Sequence, residues 1–204
     1  MTSLVTATNF RSFADLAAVY KLDEDYRIVC IPRDGASTCV VAPHGGGIEA
    51  HTSEVARAIA GQNLSLYLFE GIRNTGNFAT LHLTSHYFDE SSCVQMVSGC
   101  DDVVTVHGCQ MDGEIVLIGG LDDKLKGELR DAIAEAGFRC QTDRHAFPAT
   151  NPANICNRGR RRAGVQLELS LDLRRSMRRP KLEASVREVL LARALRSKAI
   201  NDKE

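Results

Sequence analysis

His44 and Glu49 flank three consecutive glycines, Gly45-Gly46-Gly47, directly after the apolar run Val40-Val41-Ala42-Pro43. A strand that ends in an imidazole and a carboxylate around a loop without side chains is half of a transition-metal site that leaves space for a ligand. Two more segments can complete it. Val103-Val104-Thr105-Val106 reads as a buried strand ending in His107-Gly108, and Val165-Gln166-Leu167-Glu168-Leu169 reads as another with a carboxylate inside. A catalytic zinc takes three protein ligands and keeps a fourth position for water, so His44, Glu49 and His107 make a His₂Glu set for Zn²⁺. Glu168 is then left as general base, positioned to take a proton from water and pass it to a leaving nitrogen.

The same residues carry a resemblance to a known family. Ala42-Pro43-His44-Gly45-Gly46-Gly47-Ile48-Glu49 opens it, followed by Phe69-Glu70-Gly71, Leu81-His82-Leu83-Thr84-Ser85, Val106-His107-Gly108, Asn154-Ile155-Cys156-Asn157-Arg158-Gly159 and Gly164-Val165-Gln166-Leu167-Glu168-Leu169-Ser170. In this order they resemble the zinc-dependent poly-γ-glutamate hydrolases of phages and bacilli, whose fold is like a small zinc carboxypeptidase. The resemblance implies zinc, cleavage of γ-glutamyl amide bonds and an anionic polymer or γ-glutamyl peptide as substrate. Asn157 and Arg158 look like the pair that binds a substrate carboxylate, with stabilisation of the oxyanion as the other role open to Arg158, although here they fall between His107 and Glu168 rather than before the third ligand. His44 and Glu49 stand five apart, so the glycine loop must fold the carboxylate back toward the imidazole. His82 remains open as a third ligand in place of His107 or as a donor to substrate.

Each candidate has a plainer reading. On it His44 only caps a carbonyl, His107 is a satisfied core histidine, and Arg158 is one more arginine in a basic loop. Glu168 is the sharpest case, because a carboxylate inside an apolar strand is costly unless paired or functional, though with Gln166 it also fits a polar face turned to a cleft. Cys109, two residues beyond His107, reads as a packed thiol rather than a ligand or nucleophile. Other chemistries remain as rivals: the same hydrolysis on another acidic amide, or a polyanion-binding protein without catalysis. Nine basic residues between positions 158 and 181 support the second, while the absence of tryptophan argues against nucleic acid as partner.

These residues need a scaffold, and 204 residues with 44% hydrophobic content suffice for one domain over 1–204. The seven cysteines form no C-x-x-C pair and read as thiols, and no stretch is apolar enough for a membrane span. Residues 1–11 lack the character of a signal peptide, so a cytoplasmic product is expected. Strands are expected at 26–33 and 38–42, paired as a hairpin through Asp34-Gly35, and at 64–69, 79–84, 103–107, 115–119, 138–141 and 165–173. Helices are expected from Ser12, Thr52 and Ser91, over 122–136, and over 182–200. This alternation predicts an α/β fold, a three-layer α/β/α sandwich around an open, twisted mixed sheet, with ligands at strand ends.

Overall fold

The computed structural model describes residues 10–201, with side chains to residue 197. The reading of residues 1–9 lies outside them. Among the described residues no helix is long and apolar enough to cross a membrane. In chain order the elements are α1 (Phe13–Ala17), β1 (Tyr26–Ile31), β2 (Thr38–Gly46), α2 (Thr52–Ala60), β3 (Ser65–Gly71), α3 (Asn77–Leu81), α4 (Ser91–Ser98), β4 (Asp102–Cys109), β5 (Ile115–Gly120), α5 (Asp123–Glu135), β6 (Arg139–Gln141), β7 (Val165–Ser170), α6 (Leu171–Arg175) and α7 (Arg179–Asn201). A 3₁₀ turn, Ile155–Arg158, precedes β7.

The seven strands form one mixed sheet in the order β1-β3-β2-β4-β7-β5-β6. Its centre, β3-β2-β4-β7, is parallel, so these strands end on one edge of the sheet. Alternation along the strands sorts side chains into two apolar layers. Val40, Leu68, Val106 and Leu167 face α2, α5 and α7, whereas Val41, Phe69 and Val103 face α1, α3 and α4. The sandwich is therefore three-layered, as expected.

Besides the strand expected over 165–173, which stops at Ser170 because Leu171–Arg175 turns helical with Ser170 as its cap, two expected elements differ. The 26–33 and 38–42 strands do not form a hairpin, because β3 lies between them, antiparallel to β1 and parallel to β2. The physical reason is burial. Every residue of β2 but its last is buried, so it requires a neighbour on both edges, while β1 is only partly covered and suits the sheet's margin. The second difference is 79–84, which is no strand: helix α3 ends at Leu81 and His82 turns extended. Leu81 and Leu83 are both buried, and their spacing of two mimics a strand while the chain merely straightens after a helix.

The basic segment also changes meaning. Arg160 and Arg161 pair with Asp101 and Asp102, at the start of β4, whereas His107 lies five residues along that strand, roughly 16 Å away. Arg178 and Arg179 pair with Glu114 and Glu183. The basic residues are thus distributed around both ends of the sheet and are not one patch centred on Glu168.

All seven cysteines are free and five are buried. Burial pushes the Cys109 thiol up to about 11, in keeping with a packed thiol.

Candidate metal centre

His44 occupies the end of β2 at a register shift against β3 between Ala42 and Gly45. The glycines that follow are there for packing, and not to leave room for a ligand as their sequence implied. A Cβ on Gly46, at φ +61°, would lie 2.5 Å from the Gly71 carbonyl, and one on Gly47 would lie 2.5 Å from the Asn77 amide. With no side chains in the way, the chain closes on itself. The Glu49 N–H donates to the His44 carbonyl at 2.9 Å, and the Thr52 hydroxyl donates to the carbonyls of both His44 and Glu49. This closure brings the carboxylate back onto the imidazole, as the five-residue spacing demands.

His44 Nδ1 lies 2.9 Å from Glu49 Oε1 and 3.1 Å from His107 Nδ1. His107 Nδ1 is 3.7 Å from Glu49 Oε2, and the Gly108 N–H donates to that oxygen at 2.7 Å. His44 Nε2 is 2.9 Å from the Leu83 carbonyl, which only accepts, so the proton of His44 resides on Nε2. With the His107 proton likewise on Nε2, which lies 3.4 Å from the Ser85 hydroxyl, two imidazole lone pairs and a carboxylate converge on one point. Such a set is stable only with positive charge between its members, either a proton on His44 Nδ1 or a metal ion. The donor set therefore fits a transition metal, with the Leu83 carbonyl orienting the His44 ring from behind.

The electrostatics follow. Burial opposes ionisation of Glu49, but the adjacent His44 and His82 outweigh it and hold the carboxyl below its usual range. Burial lowers His107 to about 3, helped by the nearby His44, so His107 is neutral, the form in which an imidazole can ligate a metal.

His82 extends from the end of α3 into the same cluster. Its ring centroid is 4.0 Å from that of His44 and 4.7 Å from that of Phe78, and its Nε2 is 3.6 Å from Glu49 Oε1. Ligand atoms of His44, Glu49 and His82 all fall within 4.8 Å of one another. The structure thus brings both alternatives for the third ligand to the site. They differ in setting: His107 is buried on the central strand β4, whereas the His82 side chain is 29% exposed.

Glu168 is the in-register neighbour of His107 across the β4–β7 pair and is buried. Gln166 donates to its Oε1 at 2.8 Å and itself accepts from the Asn154 amide at 2.9 Å. Burial, with the Glu49 charge nearby, raises the Glu168 carboxyl to about 8. All these groups open onto a cleft of about 980 Å³ at the strand ends, also lined by Ile48, Phe78, Phe147, Pro148, Arg174 and Arg175.

Asn157 and Arg158 are not on its walls. The Asn157 side chain accepts from Leu121 N and Gly164 N and donates to the carbonyls of Ala149 and Asn151, which uses all of its capacity within the fold. Arg158 donates to the Phe88 carbonyl. Replacing Asn157 by Ala strands these backbone groups and is expected to cost about 2–4 kcal/mol in a urea titration while leaving metal content intact. Sequence reasoning missed Arg174 and Arg175 as cleft residues, since they belonged to a long basic segment and nothing local marked them as the ones at the strand ends.

A family model for poly-gamma-glutamate hydrolase matches residues 10–188. The UPF0714 protein YndL of Bacillus subtilis (strain 168) is 35% identical over 156 residues, which cover 75% of this chain and 60% of YndL, so the chain spans less than two thirds of that relative. Among solved structures, a bacteriophage poly-gamma-glutamate hydrolase superposes with a TM-score of 0.84 at 29% identity, over 88% of this chain and 95% of the phage chain. The zinc-free apo form of YndL superposes with a TM-score of 0.79 at 30% identity, over 93% and 98% of the two chains.

Proposed function

The chain belongs to the poly-gamma-glutamate hydrolase family, and we propose that it hydrolyses γ-glutamyl amide bonds of poly-γ-glutamate with zinc held by His44, Glu49 and His107. The observation that carries this reading is the meeting of His44 Nδ1, His107 Nδ1 and the Glu49 carboxylate at one point, with Glu168 on the next strand. His107 is preferred to His82 because a buried strand position fixes a ring more firmly than the end of a five-residue helix. His82 then stacks on His44 and presents its ring to the substrate.

When bound, zinc supplies polarisation of the amide carbonyl and acidification of water, and its charge counteracts the elevated proton affinity of Glu168. Glu168 accepts the proton of the attacking water and delivers it to the leaving nitrogen. Gln166, anchored by Asn154, holds the Glu168 carboxylate through Oε1 and leaves Oε2 for this exchange. Substrate is an anionic polymer, and neither nucleic acid nor a membrane is a partner in this reading; action in the cytoplasm, or outside it after lysis, is compatible with it.

The test is to purify the protein without added metal, measure its zinc, and incubate it with poly-γ-glutamate and with α-linked polyglutamate. Shortening of the γ-linked polymer alone, with about one zinc per chain, is expected. A zinc-loaded protein that leaves poly-γ-glutamate intact would overturn the reading.

A further inference from the structure

Among the residues that line the cleft, Arg174 and Arg175 are the only two with permanently cationic side chains. They follow β7 directly on α6, so Glu168 and both guanidinium groups come from one continuous segment. Their settings differ. Arg174 is buried; its Nε donates to the Leu169 carbonyl at 3.1 Å and its Nη1 to the Ala50 carbonyl. Its guanidinium lies against Gly108, where a Cβ would approach Nη2 to 2.7 Å, and Gly108 is the residue whose N–H holds Glu49. Nη2 makes no hydrogen bond to the described residues. Arg174 is thus a fixed cation next to the metal-binding carboxylate. Arg175 is exposed and pairs with no carboxylate among the described residues.

Apolar side chains, Ile48, Phe78, Phe147 and Pro148, line the cleft as well, with Phe78 56% exposed. A cleft that offers both cations and apolar surface suits a chain whose repeat carries a free carboxylate on one carbon and methylenes on the next. A γ-linked glutamate repeat has that pattern; an α-linked one places its carboxylate at the end of a side chain instead.

The geometry points to Arg174 and Arg175 as the residues that recognise the α-carboxylates of successive γ-linked glutamates, Arg174 for the residue at the scissile amide and Arg175 for its neighbour. This rests on the proposed cleavage of γ-glutamyl bonds and adds what selects that substrate. Arginine is suited to the role because its planar fork binds a carboxylate through two donors. Arg174, with two nitrogens already clamped, offers the rigidity needed beside the reacting bond, and Arg175 offers reach.

The experiment measures equilibrium binding of a γ-linked glutamate hexamer and of the same hexamer with its α-carboxylates converted to amides. Binding is measured by calorimetry on the Glu168→Gln protein, so that no turnover intervenes. The acid form is expected to bind roughly 10- to 100-fold more tightly than the amide form, the range for a charged hydrogen bond. Arg175→Gln should remove most of that preference, and Arg174→Gln should do the same, whereas Arg160→Gln, at the opposite end of the sheet, should leave it intact. Because Arg174 also braces two carbonyls, the exposed Arg175 decides the matter: an unchanged preference in Arg175→Gln overturns the assignment. Cleavage assays on the wild-type protein separate this from the parent reading. An arginine-dependent preference without cleavage supports the carboxylate subsites and sinks the hydrolysis; cleavage with a preference indifferent to Arg175 does the reverse.

Discussion

Replacing Glu168 by Gln is expected to reduce turnover of poly-γ-glutamate by about 10² to 10⁴ while fold and zinc content persist, because the amide keeps the shape and loses the basicity. Turnover is read by polymer shortening and zinc by elemental analysis on the same sample. Activity within a few-fold of wild type would remove Glu168 from the chemistry. The same substitution has a stability signature. The Glu168 carboxyl is raised from 4.5 to about 8, chiefly by burial, so the metal-free fold favours its protonated form. Stability from such a group is fully present below pH 4.5 and is lost as pH rises through about 8. Glutamine does not titrate. In protein stripped with a chelator, Glu168→Gln should therefore match wild type near pH 4 and be more stable by on the order of 2–4 kcal/mol at pH 8 and above. A gap that is constant with pH would mean that Glu168 is not buried in an unfavourable setting.

Loss of metal is the second large effect. His44→Ala removes the nitrogen that touches both other members of the set, at 2.9 and 3.1 Å. Zinc affinity should fall by more than about 100-fold, beyond what changes to outer-shell partners produce, and activity should fall with it. Comparing His107→Ala with His82→Ala then identifies the third ligand. In the proposed arrangement His107→Ala loses zinc as His44→Ala does, while His82→Ala retains it and weakens turnover. The opposite result would give His82 the metal and leave His107 as a buried support for Glu49.

Much of the site was legible in the chain itself because it is built from strand ends. A run such as Val103–Val106 declares a buried strand by composition, and the His that follows must then emerge at the sheet's edge. The same argument places Glu168, whose neighbours Leu167 and Leu169 fix the opposite face as core. Even the fold of the glycine loop was constrained, since an imidazole and a carboxylate five apart can meet only if the intervening chain turns back.

What required tertiary structure was everything decided by partners distant in sequence. The order β1-β3-β2 cannot be read from the Asp34-Gly35 turn, because turn chemistry is local whereas β2 takes the neighbours that cover both its edges. His82 illustrates the same limit: its spacing from Leu81 and Leu83 suits a strand, yet the fold makes it the exit of a short helix packed on His44. The arginines show it most clearly. Charge composition is identical for Arg158, Arg160, Arg161, Arg174 and Arg175, and local sequence does not tell which of them the fold brings to the cleft. The first three are consumed by Phe88, Asp101 and Asp102. Arg174 and Arg175 reach the cleft because the turn after β7 carries them past the strand ends, and only the packed sheet determines where those ends meet.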